Sequence, residues 1–184
     1  PDTDAIVNNL WVNKIDDYYF FPGNFEDSMD LTPDKNGGKA QAEGSVSFMV
    51  KTDSAFNILN IYHTEKGRAV FREVYKTGSY YYVVGRIGDT KVTDFDPGPD
   101  SFFVPKFWGN SDVLLLRLDT QLNFSWAGST NSGAINDNSW LFDNNTAYFS
   151  GEINDVGSGQ DFDLTSGGYS INKMGICIAK YNLC

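Results

Sequence analysis

Asp94-Phe95-Asp96-Pro97-Gly98-Pro99-Asp100 decides the fold of this 184-residue chain, because related stretches stand at nearly equal distances on both sides of it. The following copy is Asp161-Phe162-Asp163-Leu164-Thr165, and the preceding, more divergent copy is Ser28-Met29-Asp30-Leu31-Thr32-Pro33. Asp30, Asp96 and Asp163 are 66 and then 67 residues apart. A kept interval of this kind predicts one structural unit used three times.

Further landmarks keep the same order. Each unit has a glycine that ends an aromatic or β-branched run, a basic residue inside an apolar run, and an Ala-Ile or Ala-Val pair. In unit order these are Gly23, Gly85 and Gly151; Lys51, Arg117 and Lys180; and Ala5-Ile6, Ala69-Val70 and Ala134-Ile135. Their spacing drifts by a few residues, as insertions in loops would cause. We predict a single repeat domain over residues 1–184, with approximate units 1–68, 69–133 and 134–184.

Short runs of β-forming residues bounded by Gly, Asn, Asp and Ser fill each unit and predict an all-β fold. Leu122, Phe124 and Trp126 alternate with polar residues, as in a strand with one buried face. We predict about four antiparallel strands in each unit, which is the strand content of one propeller blade. The units are longer than the usual blade period of about 40–50 residues. Residues 24–45 predict a polar loop. The counterpart of the strand that starts at Leu122 occurs only twice, so we expect the last unit to be incomplete.

The middle unit carries the clearest motif of the chain. Its parts are Asp94 to Pro99, Ser111-Asp112, Arg117-Leu118-Asp119 and Asn123-Phe124-Ser125-Trp126-Ala127. The third unit repeats it at Asp137-Asn138 and from Tyr148 to Gly151. The pattern resembles the bacterial SBBP-type β-propeller repeat and its Asp-Phe-Asp-Pro-Gly relatives. That resemblance implies a secreted, propeller-forming protein, and it brings no catalytic residues because the family has no shared activity.

Charge and hydropathy argue against several classes of protein. A net charge of -10 disfavours nucleic acid, which is bound by basic surfaces, and disfavours anionic membranes. No apolar run approaches the roughly 20 residues that cross a bilayer, so we expect no membrane insertion. Pro1 is not an initiator residue, and we expect a mature extracellular chain whose leader was removed; a piece excised from a longer protein would look the same.

Two sequons fit an extracellular location, whereas the two cysteines are interpreted separately. Asn123-Phe124-Ser125 and Asn144-Asn145-Thr146 predict glycosylation, with Asn144 the better candidate because its surroundings predict an exposed turn. Cys177 predicts a buried thiol. Cys184 is left open, and an intermolecular disulfide is one interpretation.

Candidate ligand sites are weaker than the repeat. Asp94, Asp96 and Asp100 could bind calcium through oxygen atoms, as could Asp163, but aspartates in such turns more often cap their own backbone. Trp108, in a loop, could contact a sugar or a partner, although packing is the more common role. We therefore expect no cofactor, with calcium as the alternative.

These observations lead to three hypotheses of function. The first is a non-catalytic extracellular structural protein that self-associates, as a dimer or filament, through incomplete blade edges. The second is a carbohydrate- or ligand-binding propeller module, with or without calcium. The third is a hydrolase, which lacks a motif because His63 is the only histidine and no G-x-S-x-G elbow is present.

Overall fold

The computed structural model describes residues 6–30, 39–64, 67–88, 92–104, 111–130, 135–153, 160–164, 170–171 and 175–183. All regular secondary structure in these ranges is β-strand, which confirms the predicted all-β class. Among the described residues there is no helix that is long and apolar enough to span a membrane.

Three antiparallel sheets follow one another along the chain, and each strand of a sheet pairs mainly with its neighbour in sequence. The first contains β1 (Ile6–Leu10), β2 (Asn13–Ile15), β3 (Tyr18–Asp30), β4 (Lys39–Thr52) and β5 (Ile58–His63), in the order β1-β3-β4-β5 with β2 also on β3. The polar loop expected over residues 24–45 is wrong in part, because β3 continues to Asp30 and β4 begins at Lys39.

The second and third sheets each carry a small separate hairpin between their second and third strands. The second sheet contains β6 (Arg68–Thr77), β7 (Tyr80–Gly88), β10 (Ser111–Asp119) and β11 (Phe124–Ser129), and its added hairpin is β8 (Thr93–Asp94) with β9 (Phe103–Val104). The third sheet contains β12 (Ile135–Asp143), β13 (Thr146–Ile153) and β16 (Gly175–Asn182), and its added hairpin is β14 (Gln160–Asp161) with β15 (Ser170–Ile171). Within the described ranges the sheets do not close into a barrel or a propeller.

A glycine occupies the same place in the second strand of every sheet. Gly85 on β7 lies where β6 has a bulge, between the pairs Phe71–Gly85 and Glu73–Val84. Gly23 on β3 pairs with Leu10 next to a bulge of β1, and Gly151 on β13 lies opposite a bulge of β12. At Gly85 an added Cβ would stand 2.2 Å from the carbonyl oxygen of Val70. At Gly85 the bulge brings the backbone of β6 so close that only glycine fits.

Two hairpins 66 residues apart share one conformation. The Asp53 carboxylate accepts hydrogen bonds from the backbone N–H groups of Ala55 and Asn57. Asp119 binds Gln121 and Asn123 in the same way. The residue before each asparagine has positive φ, 63° at Phe56 and 65° at Leu122.

The second sheet lies between the other two and is buried on both faces. Leu114, Leu116 and Leu118 pack with Phe20 and Met49 of the first sheet. The opposite face carries Leu115, Tyr82 and Val113, which pack against the third sheet. The third sheet contributes Trp140, Phe142, Phe149, Cys177 and Tyr181 to this second layer. A run of leucines on β10 follows from this central position, because both faces of the strand exclude water.

Candidate functional site

The two Asp-Phe-Asp copies that the structure describes are built alike. In each copy the carboxylate of the first aspartate accepts a hydrogen bond from the backbone N–H of the second aspartate. Asp96 donates to Asp94, and Asp163 donates to Asp161. The middle phenylalanine is buried, and its carbonyl accepts a tyrosine hydroxyl. Those contacts are Tyr62 to Phe95, 2.7 Å, and Tyr181 to Phe162, 2.9 Å. The motif therefore anchors each small hairpin to a sheet.

The carboxylates of the central stretch cap their own turn. Asp94 accepts a second hydrogen bond from the Phe102 N–H at 2.9 Å, and Asp96 accepts one from the Gly98 N–H at 2.8 Å. Asp100 is exposed on the same turn. Among the described residues no cluster of three His, Cys, Asp or Glu side chains could hold a metal. Calcium at Asp96 or Asp163 stays a prediction, and an ion at Asp96 would compete with the Gly98 N–H.

Of the two cysteines and the tryptophan that the sequence singles out, the structure describes Cys177. Trp108 and Cys184 lie outside the described residues. Cys177 is buried and its thiol donates to the Gly151 carbonyl at 3.2 Å. Burial raises the pKa of this thiol, so Cys177 stays protonated and unreactive at neutral pH.

The asparagines of the two sequons differ in the hydrogen bonds that their side-chain amides donate. The Asn123 side chain donates to the Asp119 carboxylate at 2.8 Å and is part of the hairpin cap. Asn144 is exposed at the turn between β12 and β13, and its side-chain amide donates to the neighbouring Asp143 carboxylate at 3.0 Å. Both sites stay predictions, and the geometry favours Asn144 because a glycan there leaves no hairpin cap broken.

A cleft of about 430 Å³ opens between the second and third sheets. Tyr82, Trp126 and Tyr181 give it an aromatic wall, and Arg117 and Asp163 give it charge. Burial, followed by the nearby Cys177, Asp163 and Asp161, raises the pKa of the Tyr181 hydroxyl, which therefore stays a hydrogen-bond donor. Sequence reasoning did not identify this cleft, although it did identify the repeated basic positions that include Arg117 and Lys180.

Exposed apolar side chains collect on the outer faces of the first and third sheets. On the third sheet, Ile176 is 84% exposed, Ile178 80% and Leu141 62%. On the first sheet Phe56 is 62% exposed, and its ring stacks on Tyr19 with centroids 5.2 Å apart. These residues were also missed from the sequence, where an alternation of Ile176 and Ile178 with Cys177 indicates only a strand.

The chain was compared with protein-family models, with curated proteins and with solved structures, and none of the three comparisons finds a match.

Proposed function

We propose that this chain is a non-catalytic extracellular structural protein of propeller-blade-like repeats that associates with copies of itself through its third sheet. The observation that carries the proposal is the exposure of Ile176 and Ile178 on β16. Within the described part of the chain, β16 pairs only with β13, and no described strand pairs with its other edge. Exposed edges with apolar side chains are surfaces that proteins otherwise cover or charge.

The repeat supports the same proposal. The bulge opposite a glycine, the aspartate-capped hairpin and the Asp-Phe-Asp anchor each occur in more than one sheet. Three blade-like units are fewer than the four to eight that close a propeller. A second copy would add further units of the same kind to these three.

Sedimentation velocity over a concentration series tests the proposal. We expect the wild-type chain to form dimers or longer assemblies, and electron microscopy of the native particle separates a ring, a dimer and a filament. A single monomeric species at every concentration up to the high micromolar range contradicts self-association.

Ligand binding in the cleft is a second candidate function, and the aromatic wall with nearby charges favours it. Sugars bind such surfaces through stacking and a few polar contacts. Binding to a glycan array, with and without a calcium chelator, measures this function. Trp126→Ala should abolish binding, whereas Trp11→Ala, which changes a tryptophan outside the cleft, should not. No glycan bound by the wild type in either condition would remove this candidate.

A further inference from the structure

The three sheets share a common frame that allows their faces to be compared. The glycines of β3, β7 and β13 each pair with one residue of the next strand in the sheet. These partners are Phe48 on β4, Leu114 on β10 and Cys177 on β16, and we use them as frame positions. The next residue along the third strand is Met49, Leu115 or Ile178. These three side chains point to the same face of their respective sheets, because each stands one residue after its frame position.

Two of these corresponding positions are buried between sheets and one is not. Met49 is fully buried between the first and second sheets, and Leu115 is fully buried between the second and third. Ile178 is 80% exposed. The same holds two residues earlier, where Val113 is 1% exposed and Ile176 84%. The outer face of the third sheet thus has the side chains of an inter-sheet layer without a described sheet on it.

On the outer face of the first sheet, Phe25, Val46 and Phe48 are already buried in a cluster of their own. The end of this face beside the Asp53 hairpin is exposed and shows the complementary arrangement. Phe56 and Leu122 occupy the same position in the two aspartate-capped hairpins. Leu122 is 3% exposed because it packs in the layer between the first and second sheets, whereas Phe56 is 62% exposed. Tyr19, which lies beneath the Phe56 ring, corresponds to the buried Tyr81.

We propose that these two faces bind each other between copies of the chain: the outer face of the third sheet packs on the outer face of the first sheet of a second copy. This rests on the proposed self-association and assigns its geometry. Within one copy the first sheet packs on the second and the second packs on the third. The proposed contact repeats this stacking between the third sheet of one copy and the first sheet of the next. Two copies joined by two such contacts hold six sheets, within the range of closed propellers, whereas a rotation that does not close gives a filament.

A basic side chain makes the expected contact specific. The Lys51 ammonium donates to the Thr120 carbonyl at 2.8 Å and lies 5.2 Å from the centre of the Tyr81 ring. Lys180 corresponds to Lys51 but is exposed. In the assembled protein Lys180 meets the same partners on the second copy, which are the Ser54 carbonyl and the Tyr19 ring.

Three variants of equal charge change test this geometry by sedimentation velocity. Ile178→Lys changes the face of the third sheet and Phe56→Lys that of the first. Val92→Lys is the control, since Val92 is 56% exposed but lies outside the three sheets. We expect wild type and Val92→Lys to assemble and each face variant to stay monomeric. An equimolar mixture of the two face variants should form a one-to-one pair, because each supplies the intact face that the other lacks.

Other outcomes overturn the proposal in distinguishable ways. If Phe56→Lys assembles like wild type while Ile178→Lys does not, two third sheets pair with each other, and self-association survives without the head-to-tail contact. If both face variants assemble normally, neither face is used. A monomeric wild type removes the proposed function itself. Circular dichroism checks folding, and Ile176→Lys with Val7→Lys, 84% and 43% exposed on the same two faces, replaces any variant that fails to fold.

Discussion

Replacing Gly85 by alanine should destabilise the second sheet strongly, because the new methyl group has no space. Its Cβ would lie 2.2 Å from the Val70 carbonyl oxygen and 3.2 Å from the Phe71 Cα, both backbone atoms of β6. Real contacts of this kind stay above about 3 Å, so β6 must move away by about 1 Å. Overpacking of a rigid core costs about 1–3 kcal/mol, and a backbone obstacle places this case near the upper end. A loss of about 3 kcal/mol lowers the melting temperature of a chain of this size by about 6–12 °C.

Gly88→Ala is the matched control on the same strand. No heavy atom lies within 4 Å of the Cβ that it would add. It should be neutral or stabilise by up to about 1 kcal/mol, since alanine restricts the unfolded chain. Urea titration followed by tryptophan fluorescence measures both variants. If Gly85→Ala lies within about 1 kcal/mol of Gly88→Ala, the explanation of the repeated glycine by a bulge of the neighbouring strand is refuted.

Three further outcomes are expected. Asp119→Ala should cost about 1 kcal/mol or less at neutral pH, since the carboxylate is largely exposed. Burial opposes its charge, but hydrogen bonds from Asn123 and Gln121 and the Lys51 ammonium outweigh burial and lower the pKa of Asp119 below 3.8. The difference from wild type should therefore shrink as pH falls below 3.8, measured by urea titration at each pH. Tyr62→Phe leaves the buried Phe95 carbonyl without its donor and should lower the free energy of unfolding by about 1–3 kcal/mol, measured by thermal unfolding. An unchanged stability would contradict this role of the hydroxyl. In a glycosylating host, Asn144→Gln should remove a glycan seen by gel mobility while Asn123→Gln changes nothing; a shift only for Asn123→Gln would contradict this.

Sequence reasoning reached the all-β class but not the cause of the recurring glycines. The spacing of Gly23, Gly85 and Gly151 is visible in the chain, yet a bulge exists only once two strands have paired in a particular register. The polar composition of residues 24–45 also misled, because β3 and β4 pair there through backbone hydrogen bonds that need no apolar side chains. A polar composition of this kind is therefore a poor guide to whether a segment pairs as a β-strand.

The candidate site was harder to predict than the fold. Tyr82, Trp126 and Tyr181 meet only because the second and third sheets stack, and nothing in the local sequence around each residue indicates that contact. The two hairpins, in contrast, were predictable. Asp53 with Asn57 and Asp119 with Asn123 repeat one pattern at the repeat interval, and the carboxylate-capped turn follows from that local chemistry.

Strands with apolar side chains on both faces indicate where the packing of this protein is unfinished. On β10, Leu114 and Leu115 point to opposite faces and both are buried, because a sheet covers each side. On β16, Cys177 is buried while its neighbour Ile178 is exposed, although both are apolar. A solvated face of an antiparallel sheet is normally polar, so this alternation does not suit a sheet that faces water on one side. The sequence of β16 is that of an inner strand, and this is the physical reason to expect a second sheet against it.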